Sequence, residues 1–294
     1  MLGFGLGLNK WRRVGGGFVG LLDLYPNAAF APSIRLLRKN YSGGLVRARA
    51  WDGLANQGEA DVMAYRVSST EYLIDLNSTL ENLDATAIGR GLTTSDTLAD
   101  LVSTGASDYD GLVSAWYDQS LSNNATQSTA AAQPKIVSGG SLVVMGGASK
   151  AAIEGSISSL SLTTALTPTD FSIIHTSEGS GFVANIGEYI RISDYYRYNI
   201  DGNNYISSDS DSSQPSIYIG NRNGTTLNLR RNGSEMDSSP HTSVATALNI
   251  TTIFNRSTLY FVGKISEFII FESNQSSNFS GIETNLNTFY SIYP

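Results

Sequence analysis

The sequence predicts a mainly β protein: an antiparallel, jelly-roll-like β-sandwich with a few short helices and an extended N-terminal arm. Three observations predict it. In the second half of the chain, β-branched and aromatic runs recur between clusters of Gly, Asn, Asp and Ser, the rhythm of two antiparallel sheets packed face to face. Helical periodicity is confined to brief stretches. The opening seventeen residues, MLGFGLGLNKWRRVGGG, have no helical period and more glycine than a segment can carry and still order alone.

Taken in order, that opening alternates Gly with Leu2, Phe4, Leu6 and Leu8, continues through Lys10, Trp11, Arg12 and Arg13, and ends in a glycine joint. Such an arm orders by docking on something larger. From Ala28 the spacing of Phe30, Ile34, Leu37 and Tyr41 predicts an amphipathic helix with Pro32 near its first turn, ended by Gly43 and Gly44. LVRARAW then alternates as a half-buried strand, and EYLIDL predicts a second. Residues 96–104 read as a short helix with acids in its first turn. After it the runs SLVVM, FSIIHT, EYIRI, SIYIG, TLNLRR, TLYFV and ISEFIIF predict strands, with Asn223-Gly224 and Asn232-Gly233 as tight hairpin turns. The tail SGIETNLNTFYSIY predicts a closing helix, with Ser280 and Glu283 at capping-box spacing and Ile282, Leu286, Phe289 and Tyr290 in an apolar stripe.

Composition narrows the chemistry. The 294 residues are 41% hydrophobic and 15% charged, enough for a large core, and the absence of cysteine excludes disulfide and thiolate chemistry. Two histidines, His175 and His241, make a histidine-based metal centre a poor expectation, and no cofactor is expected. The net charge of −7 is uneven: residues 1–50 hold eight Lys/Arg against Asp23 alone, so the remaining eleven face twenty-five acids. A basic leader suits an anionic neighbour, whereas the acidic body argues against wrapping nucleic acid; contact with nucleic acid or membrane is expected through the arm, if at all. The most apolar stretch, Val14 to Leu24, is broken by four glycines and an aspartate, so no spanning helix is expected. The charges follow the apolar part of the opening, the reverse of a secretory signal.

Two internal stretches carry a resemblance. LYPNAAFAPSIRLLRKNYSGGLVRARAWDG, with Tyr41-Ser42-Gly43, and LVSAWYDQSLSNNATQSTAAAQPKIV, with Tyr117-Asp118-Gln119-Ser120, together resemble the opening of the β-sandwich catalytic domain of α-L-arabinofuranosidase B type glycosidases. The tail GKISEFIIFESNQSSNFSGIETNLNTFY is similar to the last strand and closing helix of concanavalin- and laminin-G-like sandwiches. The same pairing of opening and tail occurs in structural proteins of bacterial viruses. The resemblance implies a concanavalin-like sandwich and leaves the arm uncovered. With the opening read as an anchoring arm, 1–17, the expected parts are that arm, a helix and strand lead-in 18–110, and a lectin-like sandwich with its C-terminal helix, 111–294.

Retaining glycoside hydrolysis needs two carboxyl groups about 5 Å apart. The resemblance would put the acid in IFNRS, where Asn255 stands and cannot donate as a carboxylic acid does, and the nucleophile near Glu188. Asp118 is the acid the resemblance motivates best, although a carboxylate at a strand-to-loop junction commonly accepts backbone N–H bonds instead. Tyr189, Tyr195, Tyr196, Tyr198 and Tyr205, crowded among Asn and Asp, offer stacking faces and hydrogen-bond groups for a saccharide or a protein. Asp209 and Asp211 lack the remainder of a calcium loop, and Gly15-Gly16-Gly17 lacks the Lys-Ser/Thr of a phosphate loop. The leading expectation is a virion structural protein (spike, fibre or capsid decoration), a homo-oligomer fixed to other virion proteins by its arm, with Tyr189, Tyr195, Tyr196, Tyr198, Tyr205 and Asp118 as candidate host-glycan contacts. A glycosidase of arabinofuranosidase type and a freestanding lectin are the alternatives.

Overall fold

The computed structural model describes residues 17–145, 149–184, 189–192, 196–200, 203–206, 213–240 and 247–294. A single helical turn, α1 (Leu21–Leu24), precedes strands β1 (Val46–Trp51), β2 (Asn56–Val62), β3 (Tyr65–Arg66), β4 (Tyr72–Leu73) and β5 (Leu80–Glu81). Helices α2 (Ala85–Gly89) and α3 (Leu98–Leu101) lead to β6 (Asp110–Trp116), β7 (Ala125–Thr126), β8 (Lys135–Ser138) and β9 (Ser141–Leu142). Next come β10 (Val144–Met145), β11 (Lys150–Ala151), β12 (Ile153–Gly155), β13 (Leu160–Leu166), β14 (Phe171–Ala184), β15 (Tyr189–Ile192), β16 (Tyr196–Ile200) and β17 (Asn203–Ile206). The chain finishes with β18 (Ser216–Asn223), β19 (Thr226–Arg231), β20 (Ser234–Pro240), β21 (Ile250–Ile253), β22 (Asn255–Arg256), β23 (Leu259–Phe271) and α4 (Phe279–Tyr290). The fold is mainly antiparallel β with short helices, as the sequence predicts.

Pairing closes the sandwich in barrel fashion. Hydrogen-bonded neighbours run from β6 through β8, β12, β23, β14, β21, β13 and β7 back to β6, all antiparallel. The ring closes in part through single residue pairs, Glu154–Lys135 and Ala184–Ile253. β1, β2 and β5 extend it from β6, and β18, β19 and β20 extend it from β14. Val46, Ala48 and Val113 on one side and Ile173, Ile219 and Ile269 on the other meet in one apolar core. β1 shows the expected alternation, with Val46, Ala48 and Ala50 buried and Arg47, Arg49 and Trp51 half-exposed.

Two long strands replace several shorter expected ones. TLYFV and ISEFIIF form the single strand β23, and FSIIHT continues to Ala184 within β14. Glycine makes this close pairing possible: a Cβ on Gly179 would lie 2.3 Å from the Val262 carbonyl oxygen, and one on Gly263 2.2 Å from that of Glu178. Asn232 and Gly233 both have positive φ (49° and 81°) and turn the chain from β19 to β20 as expected. In the preceding hairpin Asn223 stays in β18, and Gly224 at φ 58° opens the turn. Helix α3 is shorter than residues 96–104: a Thr97–Asp100 capping box starts it, and the Arg90 guanidinium donates to the carbonyls of Leu101, its last residue, and Ser103 beyond it. In α4 the cap is Asn278, so Ser280 lies inside the helix; Glu283 is buried and pairs with Arg230 of β19 at 2.9 Å rather than closing a capping box.

The helix expected over residues 28–41 does not form. The segment runs extended along the outer edge of β23, where Ile270 donates to the Phe30 carbonyl at 2.8 Å and Ile34 donates to the Ser266 carbonyl at 3.1 Å. It then pairs with β4, through Leu36 to Tyr72 and Ile74 to Ile34. The apolar spacing misleads because the neighbours are buried too: Ala31 and Ser33 are fully covered and Leu36 is 4% exposed. Residues covered on both sides show no helical stripe, and an edge position tolerates Pro32.

The YDQS loop clasps this segment. Asp118 Oδ1 accepts from the Ala31 amide (2.9 Å), the Ser120 amide (2.8 Å) and the Ser120 hydroxyl (2.5 Å), while Oδ2 accepts from the amides of Leu121 and Asn123, each at 3.1 Å. Gln119 completes the clasp, its Oε1 accepting from the Leu37 amide and its Nε2 donating to the Arg35 carbonyl, both at 2.8 Å. The two stretches that carried the resemblance are thus one physical unit. Asp118→Ala strands four backbone donors, each worth about 1 kcal/mol or more when left unpaired, so urea unfolding of the variant should show a loss of about 3–5 kcal/mol. Asp118→Asn, which keeps one acceptor oxygen, should lose less than half as much.

Candidate functional site

The tyrosine-rich expectation falls on a meander that leaves the far end of β14. Its register aligns Tyr189 with Asn199 and Asn204, and Ile190 with Tyr198 and Tyr205. Ile192 stands opposite Tyr196. Ile190 and Ile192 are buried in the core. Tyr195, Glu188 and the arm residues Leu2, Phe4, Leu6, Leu8, Lys10, Trp11, Arg12 and Arg13 lie outside the described residues, as do His241, Asp209 and Asp211. Asp118 is 2% exposed with both oxygens committed to the clasp, so it is a framework residue and not a ligand contact.

A half-buried carboxylate pair does exist on one sheet face, at Glu59 and Asp61 of β2. Glu59 takes Arg49 on Oε1 (2.5 Å) and Arg47 on Oε2 (3.0 Å). Asp61 takes Arg47 and the Tyr117 hydroxyl on Oδ1 (2.9 and 2.6 Å) and Asn82 on Oδ2 (2.6 Å). All four oxygens are occupied. The network locks β1 to β2 through the cross-strand pairs Arg47–Asp61 and Arg49–Glu59. Among the described residues no cluster of three or more His, Asp or Glu could hold a metal ion, and no helix is long and apolar enough to cross a membrane.

A concavity lies against α4. It is a groove of about 480 Å³ between Phe18–Val19–Gly20, the β3–β4 turn and the outer side of α4. Arg35 reaches it from the clasped segment, with its Nε on the fully buried Glu267 and Nη2 on Asn285 at 2.8 Å. Tyr290 donates to the same Glu267 oxygen at 2.9 Å, and burial raises the tyrosine pKa well above its ordinary value, keeping the hydroxyl a donor. Lys150 pairs with Glu71, and both cations lie over the Phe289 ring, Arg35 at 4.6 Å and Lys150 at 4.7 Å from its centre. The groove's cations are thus paired, and its open surface is mixed: Val19 and Leu24, 55% and 53% exposed, stand with the exposed Thr70, Thr284 and Thr288. Local patterns could not announce it, since five separated stretches build it; the single legible sign is Phe289 at the edge of the apolar stripe of α4.

His175 is a core residue. Its ring stacks between Tyr218 and Phe268, at 5.1 and 6.0 Å, and its Nδ1 lies 3.0 Å from the Ser177 hydroxyl. Burial lowers its pKa from 6.5 to about 3.

No protein-family model matches the sequence, and no curated protein matches it. Among solved structures, the chain is similar in part to domain 4 of AbnA, a GH43 extracellular arabinanase from Geobacillus stearothermophilus in complex with arabinotriose (13% identity, 47% of this chain and 78% of that one, TM-score 0.38). It is similar in part to a SAP-like pentraxin from Limulus polyphemus (10% identity, 43% and 74%, TM-score 0.35). A third is the CBM40 of Ruminococcus gnavus IT-sialidase bound to α2,3-sialyllactose (9% identity, 38% and 80%, TM-score 0.30). At identities and scores this low the likeness is partial and gives no residue of this chain a role.

Two measurements check the site's energetics. Arg35→Met leaves Glu267 buried without its cation and should cost about 3–5 kcal/mol in chemical unfolding, whereas Lys150→Met, at a pair 22% and 24% exposed, should cost no more than about 1 kcal/mol. Since His175 stays neutral in the fold while the unfolded chain takes up a proton below pH about 6.5, its contribution is present above that pH and lost toward pH 3, at about 1.4 kcal/mol per unit. Urea titrations at pH 7, 6, 5 and 4 should show that slope difference between the wild type and His175→Phe.

Proposed function

We propose that the chain is a structural protein of a bacterial-virus particle, in which residues 1–17 fasten it to other virion proteins and the β body projects as a spike, fibre or decoration unit. The observation that carries this reading is the division of labour along the chain. The described residues supply an apolar core that takes in residues from Leu21 to Tyr290, while the sequence before Gly17 carries Leu2, Phe4, Leu6, Leu8 and Trp11 beside three cations and ends in a run of glycines. An opening so rich in apolar and cationic groups suits a partner surface. Contact with host glycans would fall to the β15–β17 meander, where aromatic, amide and guanidinium residues alternate in a short antiparallel ladder.

Binding fits the carboxylates better than glycoside hydrolysis does. Asp118 spends its oxygens on the clasp, and the Glu59–Asp61 pair spends its own on arginine, tyrosine and asparagine. Neither keeps an oxygen for attack on a sugar carbon or for protonating a leaving group.

Deletion of residues 1–17 should leave the body folded, with an unchanged circular dichroism spectrum, and should reduce incorporation into particles at least tenfold when sedimented fractions are assayed by peptide mass spectrometry. Undiminished incorporation of the truncated chain would refute the anchoring role.

A further inference from the structure

Two Asn-Gly pairs stand in the chain, Asn223-Gly224 and Asn232-Gly233, in almost the same local sequence: Arg precedes each, and a hydroxyl residue, Thr225 or Ser234, follows. The fold treats them differently. We propose that Asn223 is a site of self-modification, at which the Gly224 nitrogen drives conversion of the Asn223 side-chain amide to a carboxylate, and that the fold protects Asn232 from the same reaction. The inference concerns the folded body alone and stands independently of the virion reading.

The reaction uses only the chain and water. The Gly224 backbone nitrogen attacks Cγ of Asn223; a C–N bond forms, the nitrogen gives up its proton to solvent base, and the side-chain nitrogen takes up a proton and leaves as ammonia. The five-membered cyclic imide then takes up one water, which breaks either of its two C–N bonds and leaves aspartate or its β-linked isomer, isoaspartate. Glycine at the attacking position carries no Cβ to block the approach. What the fold must add is a side chain free to turn toward that nitrogen, a backbone free to bend, and access for water.

Asn223 has all three. It is the last rung of β18, paired with Thr226 across the turn that Gly224 opens at φ 58°. Asn223, Gly224 and Thr225 are exposed, and the Asn223 side chain makes no hydrogen bond among the described residues. The Gly224 amide donates to Asp170 at 2.8 Å, in an exposed bond that water can replace. Opening of a hairpin tip is local and leaves the core strands paired.

Asn232 lacks the first two. Its Oδ1 accepts from the Ile217 amide at 2.9 Å, and its own amide donates to the Ile217 carbonyl at 3.0 Å, so side chain and backbone are both fastened to β18. Ile217 is fully buried. Swinging the Asn232 amide toward Gly233 would leave the Ile217 donor unpaired, which holds the reactive arrangement at a low population.

The full chain, kept folded at mildly alkaline pH and then digested with trypsin, reports the two sites in separate peptides, because Arg222 and Arg231 precede them. Mass spectrometry with fragmentation should show Asn223 converting to a mixture of aspartate and isoaspartate at least tenfold faster than Asn232. In guanidinium chloride, with the fold removed, the two rates should agree within threefold. Equal rates in the folded chain would overturn the inference, and so would a difference that persists undiminished in denaturant, since sequence and not the fold would then set it. Conversion of Asn223 to aspartate without isoaspartate would also overturn it, because direct hydrolysis of the side chain leaves the backbone link unchanged.

Discussion

Nine residues, Ala29–Leu37, held extended against the edge of β23, fasten the early part of the described chain to its last strand. Their amides and carbonyls are satisfied by partners far along the chain: Ile270 and Ser266 on one side, Tyr72 and Ile74 on another, and the Asp118–Gln119 clasp between. A segment buried on every side must pair its backbone completely or forfeit several kcal/mol. The clasp bridges 87 residues of sequence between Ala31 and Asp118, and the Arg35–Glu267 pair bridges 232. Contacts this distant are entropically expensive to close and, once made, join the first third of the chain to its last strand and helix.

The same segment organises the groove. Arg35 stands at its end, with its guanidinium partly in the core on Glu267 and partly at the surface on Asn285 and Phe289. The buried charge is tolerated because Glu267 also receives the Tyr290 hydroxyl, so strand, helix and clasped segment share one polar node. Around it the cations are paired with acids, and what faces solvent is a mixture of hydrocarbon and threonine side chains. The charged face of β1 and β2 follows the same rule. Its arginines and carboxylates are half-buried and mutually satisfied, which stiffens a sheet and leaves no reactive group in search of a substrate.

The sequence makes local features legible and hides those that depend on distant partners. The alternation of LVRARAW and the positive φ of Asn232-Gly233 act within a few residues, and both appear as read. The start of α3 does too, through the Thr97–Asp100 capping box. Residues 28–41 mislead because their burial comes from β23, β4 and the YDQS loop, none of which is visible in their own pattern. Asp118 could be recognised as an acceptor of backbone N–H groups, but its partner Ala31 could not. Glu283 looked like half of a capping box and instead serves Arg230, a choice fixed by how α4 lies on β19. The groove is the extreme case, because Val19, Glu71, Lys150 and Phe289 become neighbours only in the finished fold.

The central claim is that the clasped segment belongs to the most stable framework of the body and is not a lead-in laid upon it. Native-state hydrogen exchange followed by mass spectrometry tests this directly. Peptides covering residues 29–37 should exchange as slowly as those from β14 and β23, opening only when the whole body unfolds. Exchange of 29–37 a hundredfold or more faster than β23, with β14 and β23 still protected, would contradict the account and reduce the clasp to a surface attachment.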